Sequence, residues 1–320
     1  MPKLMIALFL GLMAAGSGRV QAQDLPPPAR SASPAVHPFL WSRMVEDITK
    51  TANEVDGRVG VFIRGISSPD TFSLRGDEVF PAASTIKLAL LFELYRQAES
   101  AKGTAEVAFL QDAYVLQAKD LVEDSSILGN LTPGTRLTNR DLAAFTVVVS
   151  DNSATNILID RVGMDRVNRA MDNLGLKKIR LRRKMMDVQA ARAGRENHTS
   201  PRELAELLLA IQGGAALGAE SRTDLIRLLS TPKDGFLTRL LPEGLTVANK
   251  PGTLPGVRND AGIILVKGQP FVIAVMASHL RDERQGEAAI ARIAQRVSAY
   301  FEMAGATSPE GRVLGVLQVR

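Results

Sequence analysis

Ser84 and Lys87 are spaced to act as a nucleophile and its base. They stand three positions apart in residues 80–95, FPAASTIKLALLFELY, where the apolar pattern predicts that a helix begins at Ser84. Side chains three positions apart share one face of a helix, so the lysine amine can reach the serine hydroxyl. Desolvation lowers the pKa of a lysine, and its neutral amine can then take the serine proton. The alternative interpretation is an exposed helix start, because Ser-x-x-Lys also arises by chance.

Two further polar segments follow, and each also has a plain structural interpretation. Ser-Asp-Asn at 150–152 lies between an apolar helical stretch and an amphipathic one, where it could be a loop or a helix cap. Lys-Pro-Gly-Thr at 250–253 lies on or beside a predicted strand and could be an edge strand that ends in a turn. Taken together, in this order and in these contexts, the three segments indicate a catalytic site.

Patterns at both ends of the chain predict the elements that must position these segments. Turn residues between two apolar runs predict a hairpin, and the C-terminal part returns to strands. Thr138 with Asp141, and Ser200 with Glu203, are typical of helix N-termini. The other predicted elements are a helix at 39–55, hairpin strands at 58–66 and 71–76, a mostly helical block from 84 to about 229, and a helix at 287–303.

The economical arrangement of these elements is a two-lobed fold of the α/β (α+β) class. Both ends of the chain build one antiparallel sheet, which the N- and C-terminal helices flank, and an all-helical lobe packs beside it. We expect the cleft between the lobes to hold the polar segments. The predicted catalytic domain spans 39–304, with the sheet lobe at 39–82 and 236–304, the helical lobe at 83–235, and a C-terminal tail at 305–320.

The three segments resemble the S-x-x-K, S-D-N and K-[TS]-G signatures of class A β-lactamases and related penicillin-recognising serine hydrolases. The resemblance covers most of residues 43–304 and extends to FPAAS, DLVEDS and TSPRELAELL. It implies a β-lactamase/transpeptidase-like fold and a serine hydrolase that acts on β-lactams or on peptidoglycan-like substrates. It implies no metal and no organic cofactor.

Carried over residue by residue, the resemblance implies the catalytic roles. Ser84 would be the acylated nucleophile and Lys87 its proton acceptor. Ser150, supported by Lys250, would deliver a proton to the leaving nitrogen.

The resemblance also implies the residues that bind the substrate. Asn152 would hold the side-chain amide of the substrate and contact Lys87. Gly252 and Thr253 would bind the substrate along the strand. The backbone N–H groups of Ser84 and Thr253 would form the oxyanion hole.

The loop at 180–201, RLRRKMMDVQAARAGRENHTSP, departs from the family pattern. Class A enzymes carry a glutamate there that holds the deacylating water, and its place falls on Lys184, Met185 or Met186. Asp187 is the nearest carboxylate, so it is the candidate deacylation base, with capping of the loop as the alternative. The arginine–acid pair at the loop neck resembles Arg182 or Arg183 with Glu196 or Asn197.

The third motif and the cleft mouth also depart from the pattern. Pro251 stands where the family has a hydroxyl residue that helps to hold the β-lactam carboxylate, and it lacks a backbone donor. Thr253 lies two positions further along and shares its face of the strand. Arg258 could supply a positive charge nearby. Asp124 replaces the aromatic residue usual in this place, which removes an apolar wall.

Composition excludes several other classes. The chain has no cysteine, so it has no disulfide, thiol nucleophile or cysteine-based metal site. Its three histidines, His37, His198 and His279, are scattered, which argues against a metal site and a Ser-His-Asp triad. The net charge of +5 is mild, and the basic cluster at 180–184 lacks interleaved aromatic residues. We therefore expect no nucleic-acid partner.

The N-terminus is typical of exported proteins. Residues 1–22 combine a lysine, a short apolar run and small residues near the end, as in a secretory signal peptide. Residues 23–38 are rich in Pro, Ala and Ser and read as a tether. No later run is apolar and long enough to predict a membrane span. We therefore expect a periplasmic or secreted monomer.

Three functions remain open at this level. The first is a β-lactamase that acylates Ser84 and deacylates slowly. The second is a D,D-peptidase or esterase of the same fold. The third is a binding or sensor protein that is acylated by β-lactams without turnover, although no signalling segment is visible in the sequence.

Overall fold

The computed structural model describes residues 37–100, 110–214, 216–308 and 310–314. The predicted signal peptide at 1–22 and most of the predicted tether at 23–38 lie outside these residues. The strands are β1 (Arg58–Gly65), β2 (Thr71–Leu74), β3 (Phe80–Pro81), β4 (Ala113–Val115), β5 (Arg136–Thr138), β6 (His198–Thr199), β7 (Val247–Leu254), β8 (Val257–Ile264) and β9 (Phe271–Ser278). The helices are α1 (Pro38–Asn53), α2 (Lys87–Ser100), α3 (Asn139–Val148), α4 (Asn152–Val162), α5 (Met164–Asn173), α6 (Val188–Arg192), α7 (Pro201–Gly213), α8 (Ala219–Leu229) and α9 (Glu283–Ala306).

The main sheet has five strands in the order β2-β1-β9-β8-β7, and every neighbouring pair is antiparallel. This confirms the predicted sheet built from both ends of the chain. Side chains alternate across it. Val61 and Ile63 pack with α1 and α9, whereas Phe62 belongs to a second core that continues into the helical lobe. Both faces are therefore covered, and β7 is left as the edge strand that faces the cleft.

The helical lobe is arranged around α2. Every residue from Lys87 to Tyr95 is buried, which is typical of a helix enclosed on all sides. Helices α3, α4, α5, α7 and α8 pack against it. A helix in this position can hold a catalytic lysine away from water, because its first residue, Lys87, points into the lobe interface rather than into solvent.

Two predicted helix starts are confirmed, one with a difference. Thr138 and Asp141 form a reciprocal capping box at α3. Ser200 caps α7 by accepting from the N–H of Glu203, with Pro201 at the first helical position. The Glu203 carboxylate does not close a box; it accepts from the N–H groups of Lys178 (2.6 Å) and Ile179 (2.9 Å). It thereby ties the residues just before the loop at 180–201 to the start of α7.

Three features of the fold differ from the predictions: where α2 begins, where α9 ends, and which lobe α7 packs on. Ser84 lies in a turn of 3-10 helix, Ala83–Ile86, and α2 begins only at Lys87. Helix α9 ends at Ala306, two residues beyond the predicted end of the catalytic domain. Helix α7, predicted as part of the helical lobe, packs on β1, β8 and β9 of the sheet. No helix in the described part of the chain carries an apolar run long enough to cross a bilayer.

Candidate active site

The turn that carries Ser84 is held between two strands. Thr85, fully buried, donates its hydroxyl to the carbonyl of Ala82 at 2.6 Å. On the other side, β7 approaches so closely that a Cβ on Gly252 would lie 2.8 Å from the Ser84 nitrogen. Only glycine permits this approach, because a side chain would push the strand away from the turn. The approach brings Thr253, the next residue of β7, to the same cleft as Ser84.

Lys87 is fully buried, and its amine is enclosed by the Ser-Asp-Asn segment. Its Nζ lies 2.6 Å from the carbonyl oxygen of Ser150, 3.0 Å from Ser150 Oγ and 3.0 Å from Asn152 Oδ1. Burial, followed by the charge of Lys250, holds the pKa of Lys87 well below its usual value, with Asp151 opposing the shift. A lysine in this state can accept a proton at neutral pH.

Ser150 Oγ lies between two lysines. It is 3.0 Å from Lys87 Nζ and 2.9 Å from the Nζ of Lys250, which is also fully buried. Burial lowers the pKa of Lys250 to about 7, with Asp260 opposing and Lys233 adding to the shift. The hydroxyl can therefore pass a proton between an amine and a leaving group. The structure thus places Ser150 and Lys250 within hydrogen-bonding distance of each other, and their roles in proton transfer stay predictions.

Asp151 positions this segment, a role that sequence reasoning did not assign to it. Its side chain is fully buried and caps α4 by accepting from the N–H of Ala154 at 2.9 Å. Its other oxygen accepts from the N–H groups of Ile127 (3.1 Å) and Leu128 (2.9 Å). The carboxylate thus holds the segment before α3 against α4, with Ser150 and Asn152 on either side. The N-cap preference of aspartate is the signal that points to this position.

The backbone around the cleft is strained. Four non-glycine residues that line it have positive φ angles: Ala83 (48°), Asp124 (53°), Ser150 (55°) and Met186 (64°). L-residues adopt this region at a cost, and such residues gather at functional sites where the surrounding structure holds them. Their concentration in one cleft supports a catalytic interpretation of that cleft.

The nucleophile turn is also tied to β8. Asn259, fully buried, donates its side-chain amide to the carbonyls of Pro81 (2.9 Å) and Ala82 (3.2 Å). Sequence reasoning missed this residue. The signal that could have found it is an amide side chain in a strand that lies inside the sheet, because buried amides need partners.

The neck of the loop at 180–201 contains the predicted arginine–acid pair. Arg183 Nη2 lies 2.8 Å from Glu196 Oε1. Asn197 adds a clamp on the backbone: its Oδ1 accepts from the N–H groups of Arg182 (2.6 Å) and Arg183 (3.0 Å), and its Nδ2 donates to the carbonyl of Arg183 (3.1 Å). Glu196 and Asn197, the two predicted partners of the arginine, therefore both hold the neck of the loop.

Asn156 of α4 holds the middle of the loop at Met185. Its side chain accepts from the Met185 N–H at 2.8 Å and donates to the Met185 carbonyl at 3.1 Å. Met185 and Met186 both line the cleft, and Met185 is buried. Lys184 instead pairs with Asp160, its Nζ lying 2.6 Å from Oδ1. The cleft wall contributed by this part of the loop is thus apolar.

Asp187 caps α6. Its Oδ1 accepts from the N–H of Ala190 at 2.9 Å, which is the structural role weighed against catalysis. Among the described residues that line the cleft, Met186 and Val188 appear on either side of it, but Asp187 does not. Its predicted role as deacylation base therefore has no geometric support.

The cleft that joins these residues has a volume of about 1000 Å³. The structure brings together all the residues predicted to acylate, bind or stabilise a substrate. Ser84, Ser150, Asn152 and Thr253 line the cleft, whereas Lys87 lies behind Ser150. Lys250 and Gly252 line a smaller adjoining pocket that shares Ser84, Ser150 and Thr253.

Comparisons with known proteins identify the family and the fold. The model of the beta-lactamase enzyme family matches residues 43–301. Beta-lactamase SME-1 of Serratia marcescens is 27% identical over 255 residues, which cover 77% of this chain and 85% of that protein. The crystal structure of a beta-lactamase from Sphaerobacter thermophilus is 32% identical, with a TM-score of 0.72, and the match covers 82% of this chain and 97% of that one.

A mutant of PBP-A, solved as an acyl-enzyme complex with penicillin G, has a TM-score of 0.73 and 26% identity. The match covers 82% of this chain and 96% of that one. The family model spans the nucleophile turn, the Ser-Asp-Asn segment and β7. The chain therefore belongs to the beta-lactamase enzyme family.

Proposed function

We propose that the protein is an exported serine hydrolase that opens β-lactams through an acyl-enzyme on Ser84 and releases the product slowly. The observation that carries this proposal is the buried amine of Lys87, held against Ser150 and Asn152 with a lowered pKa. An unprotonated amine in this place is what a serine nucleophile requires.

The proposed acylation uses the lysine amines that contact Ser150, which lines the cleft together with Ser84. The Oγ of Ser84 attacks the carbonyl carbon of the lactam, and its proton passes to Lys87 Nζ. The N–H groups of Ser84 and Thr253 stabilise the oxyanion. The carbon–nitrogen bond then breaks, and the leaving nitrogen takes a proton from Ser150 Oγ, which is resupplied by the lysine amines 3.0 and 2.9 Å away. The product is an ester between Ser84 and the opened lactam.

Deacylation needs a water molecule and a base that activates it. The cleft wall formed by the loop at 180–201 is poorly equipped to hold the water or to act as the base. Met185 and Met186 line the cleft where the family resemblance places the glutamate. The loop at 180–201 contains two carboxylates, Asp187 and Glu196. Asp187 caps α6, and Glu196 is paired with Arg183 and also accepts from the N–H of Asn197. We therefore propose that hydrolysis of the ester limits turnover.

The second candidate is a protein that stays acylated. Met185 and Met186 favour it, because they line the cleft where a base would be needed. The two candidates differ only in the rate at which water hydrolyses the ester on Ser84. The PBP-A mutant solved as a penicillin G acyl-enzyme supports the view that this fold can hold such an ester. A D,D-peptidase or esterase would use the same Ser84 chemistry on a different acyl group.

Export is the remaining part of the proposal. It rests on the apolar N-terminal run within residues 1–22. Fractionation of cells that express the full chain should place it in the periplasm or medium, with residues 1–22 removed. Retention of these residues on protein in the cytoplasm would contradict export.

The experiment that tests the catalytic proposal combines colour and mass. The mature protein, Ser84→Ala and the control Ser42→Ala, a hydroxyl exposed on α1, are each mixed with a chromogenic cephalosporin. We expect a mass adduct and slow colour formation from the unchanged protein and from Ser42→Ala, and neither from Ser84→Ala. Colour and adduct that persist in Ser84→Ala would contradict the assignment of the nucleophile.

A further inference from the structure

Asp124 is a charged residue of the cleft that the proposed mechanism does not use. It is exposed, and it lines the cleft of about 1000 Å³ together with Ser84 and Asn152. It does not line the smaller adjoining pocket that contains Lys250. The carboxylate therefore belongs to the part of the cleft that contains Asn152, where the family resemblance places the side-chain amide of the substrate.

Hydrogen bonds fix the backbone on either side of Asp124. Val122 donates its N–H to Ser153 Oγ at 2.8 Å, and the hydroxyl of Ser125 accepts from the N–H of Ser153 at 2.9 Å. The two serine hydroxyls lie 2.7 Å apart. Ser153 directly follows Asn152 in α4, so these bonds hold the segment around Asp124 beside the start of that helix.

The backbone of Asp124 adopts the left-handed conformation, with a φ angle of 53°. Aspartate and asparagine tolerate this region better than most other residues with a side chain. Such a conformation persists where the surrounding structure fixes it, and here the bonds of Val122 and Ser125 to Ser153 do so. The carboxylate is therefore presented to the cleft from a fixed backbone.

The other charged residues that line this cleft are paired within the protein. Arg183 Nη2 lies 2.8 Å from Glu196 Oε1, and Arg258 Nη2 lies 2.9 Å from Glu283 Oε2. The carboxylate of Asp124 makes no ion pair or hydrogen bond with any residue that the structure describes. A cation that enters the cleft with a substrate therefore meets one carboxylate whose oxygens are unoccupied.

The two buried lysines of the site are directed away from Asp124 by their own partners. The amines of Lys87 and Lys250 lie 3.0 and 2.9 Å from Ser150 Oγ. Burial lowers the pKa of both lysines, which reduces the positive charge that they carry. The carboxylate of Asp124 thus keeps its capacity to attract a positive group of the substrate.

We infer that Asp124 is a specificity-determining residue that binds a cationic group, such as an ammonium, on the acyl side of the substrate. This inference rests on the proposed function, because it concerns the same acylation of Ser84. The carboxylate attracts the ammonium and accepts a hydrogen bond from it. A neutral acyl group gains nothing from this contact, so the protein should prefer substrates with an amine near their side-chain amide.

Ampicillin and benzylpenicillin form a matched pair of probes. They share the ring system with its carboxylate, and they differ in one amino group on the carbon next to the side-chain amide. At about pH 6 this α-amino group is protonated. The rate of acylation of Ser84 by each penicillin is followed by intact mass for wild type, Asp124→Asn and Glu123→Gln. Glu123 is exposed beside Asp124 but does not line the cleft, so its variant is the charge-matched control.

We expect the ratio of the two rates, ampicillin over benzylpenicillin, to fall about 3- to 5-fold in Asp124→Asn, the upper range for an exposed ion pair. Added salt should lower the ratio in the wild-type protein, because it screens the charges, and should leave it unchanged in Asp124→Asn. Glu123→Gln should keep the wild-type ratio. Asparagine tolerates the left-handed backbone, and thermal melting checks that the variant has folded.

Two results would overturn the inference. One is an unchanged ratio in folded Asp124→Asn at low salt. The other is an equal fall of the ratio in Glu123→Gln, which would show that the effect does not depend on a carboxylate in the cleft. Absence of any adduct on Ser84 from both penicillins is a different result, which would overturn the proposed function and this inference with it.

Discussion

The cleft has two walls that are equipped very differently. The catalytic wall, formed by the turn Ala83–Ile86, Ser150 and β7, holds two buried lysines with lowered pKa values around one serine hydroxyl. The loop wall, formed by residues 180–201, has its backbone held as firmly by Asn156 and Asn197 but presents methionine to the cleft. The catalytic wall thus offers amines and a hydroxyl to the cleft, whereas this part of the loop wall offers apolar side chains.

From this difference we propose that the formation and the hydrolysis of an acyl-enzyme are separable in this protein. Acylation depends on proton transfer among Lys87, Ser150 and Lys250, which the protein buries at an energetic cost. Deacylation depends on a base that the loop must supply. In the described part of the chain, the partners of the two lysine amines are Ser150, Asn152 and Pro251, so a change at Met185 or Met186 leaves these contacts in place.

The largest effect should come from Lys87→Met on the catalytic wall. It removes the proton acceptor but keeps the side-chain volume, so acylation should fall about 10²–10⁴-fold, the usual contribution of a general base. The melting temperature should fall, because methionine leaves the carbonyl and hydroxyl oxygens of Ser150 and the Oδ1 of Asn152 without their donor. The acylation rate is read from intact mass and stability from calorimetry. A retained rate would show that another group accepts the proton.

The next effect should come from Lys250→Ala. We expect acylation at neutral pH to fall about 100-fold, the lower range for loss of a group in proton transfer. Because the positive charge of Lys250 lowers the pKa of Lys87, its removal raises that pKa. Lowering the pH protonates Lys87 and so slows acylation. In Lys250→Ala this loss of rate should begin at a higher pH than in the wild-type protein. The control is Lys267→Ala, which removes an exposed lysine in the turn after β8. If the acylation rate of Lys250→Ala begins to fall at the same pH as that of the wild-type protein, the electrostatic coupling between the two lysines is excluded.

A smaller gain should come from Met185→Glu on the loop wall. Asn156 binds the backbone at this position, so the new carboxylate would enter the cleft from a fixed point. We expect deacylation to rise about 10-fold, less than for a fully positioned base, while acylation changes little. Decay of the adduct after removal of free β-lactam measures this rate, with Met186→Glu as the neighbouring control. Equal decay in wild type and Met185→Glu would mean that the slow step lies elsewhere.

The smallest effect should come from Asp187→Asn. Asparagine keeps an oxygen that can cap α6, so stability and adduct lifetime should both change by less than about 2-fold. A much longer adduct lifetime would restore Asp187 as the deacylation base, in spite of its bond to the N–H of Ala190.

The catalytic wall could be predicted from sequence because its residues lie in short segments with fixed spacing. Ser84 with Lys87, and Ser150 with Asn152, are each separated by fewer than four positions. The turn form at Ser84 could not be predicted, since the 3-10 geometry depends on the close approach of β7 at Gly252. The role of Asp151 depends on the backbone at Ile127 and Leu128, which only the folded chain brings near.

The loop wall and the ion pairs of Arg258 show where prediction from the sequence ends. The sequence left Lys184, Met185 and Met186 as candidates for the glutamate position, and the two hydrogen bonds from Asn156 to the backbone of Met185 appear only in the folded chain. The pairing of Arg258 with Glu283 and Glu287 joins β8 to α9 across 25 and 29 positions of sequence. Such contacts depend on how a strand and a helix pack, so charge patterns along the chain do not reveal them.

A pre-steady-state measurement tests the separation of the two steps most directly. Wild-type protein is mixed with excess chromogenic cephalosporin, and colour is followed from the first milliseconds. The two-wall account predicts a burst of one equivalent of opened lactam per Ser84, followed by a much slower steady rate that matches the decay of the mass adduct. Colour that forms at one constant rate from the start, with no burst and no accumulated adduct, would contradict it.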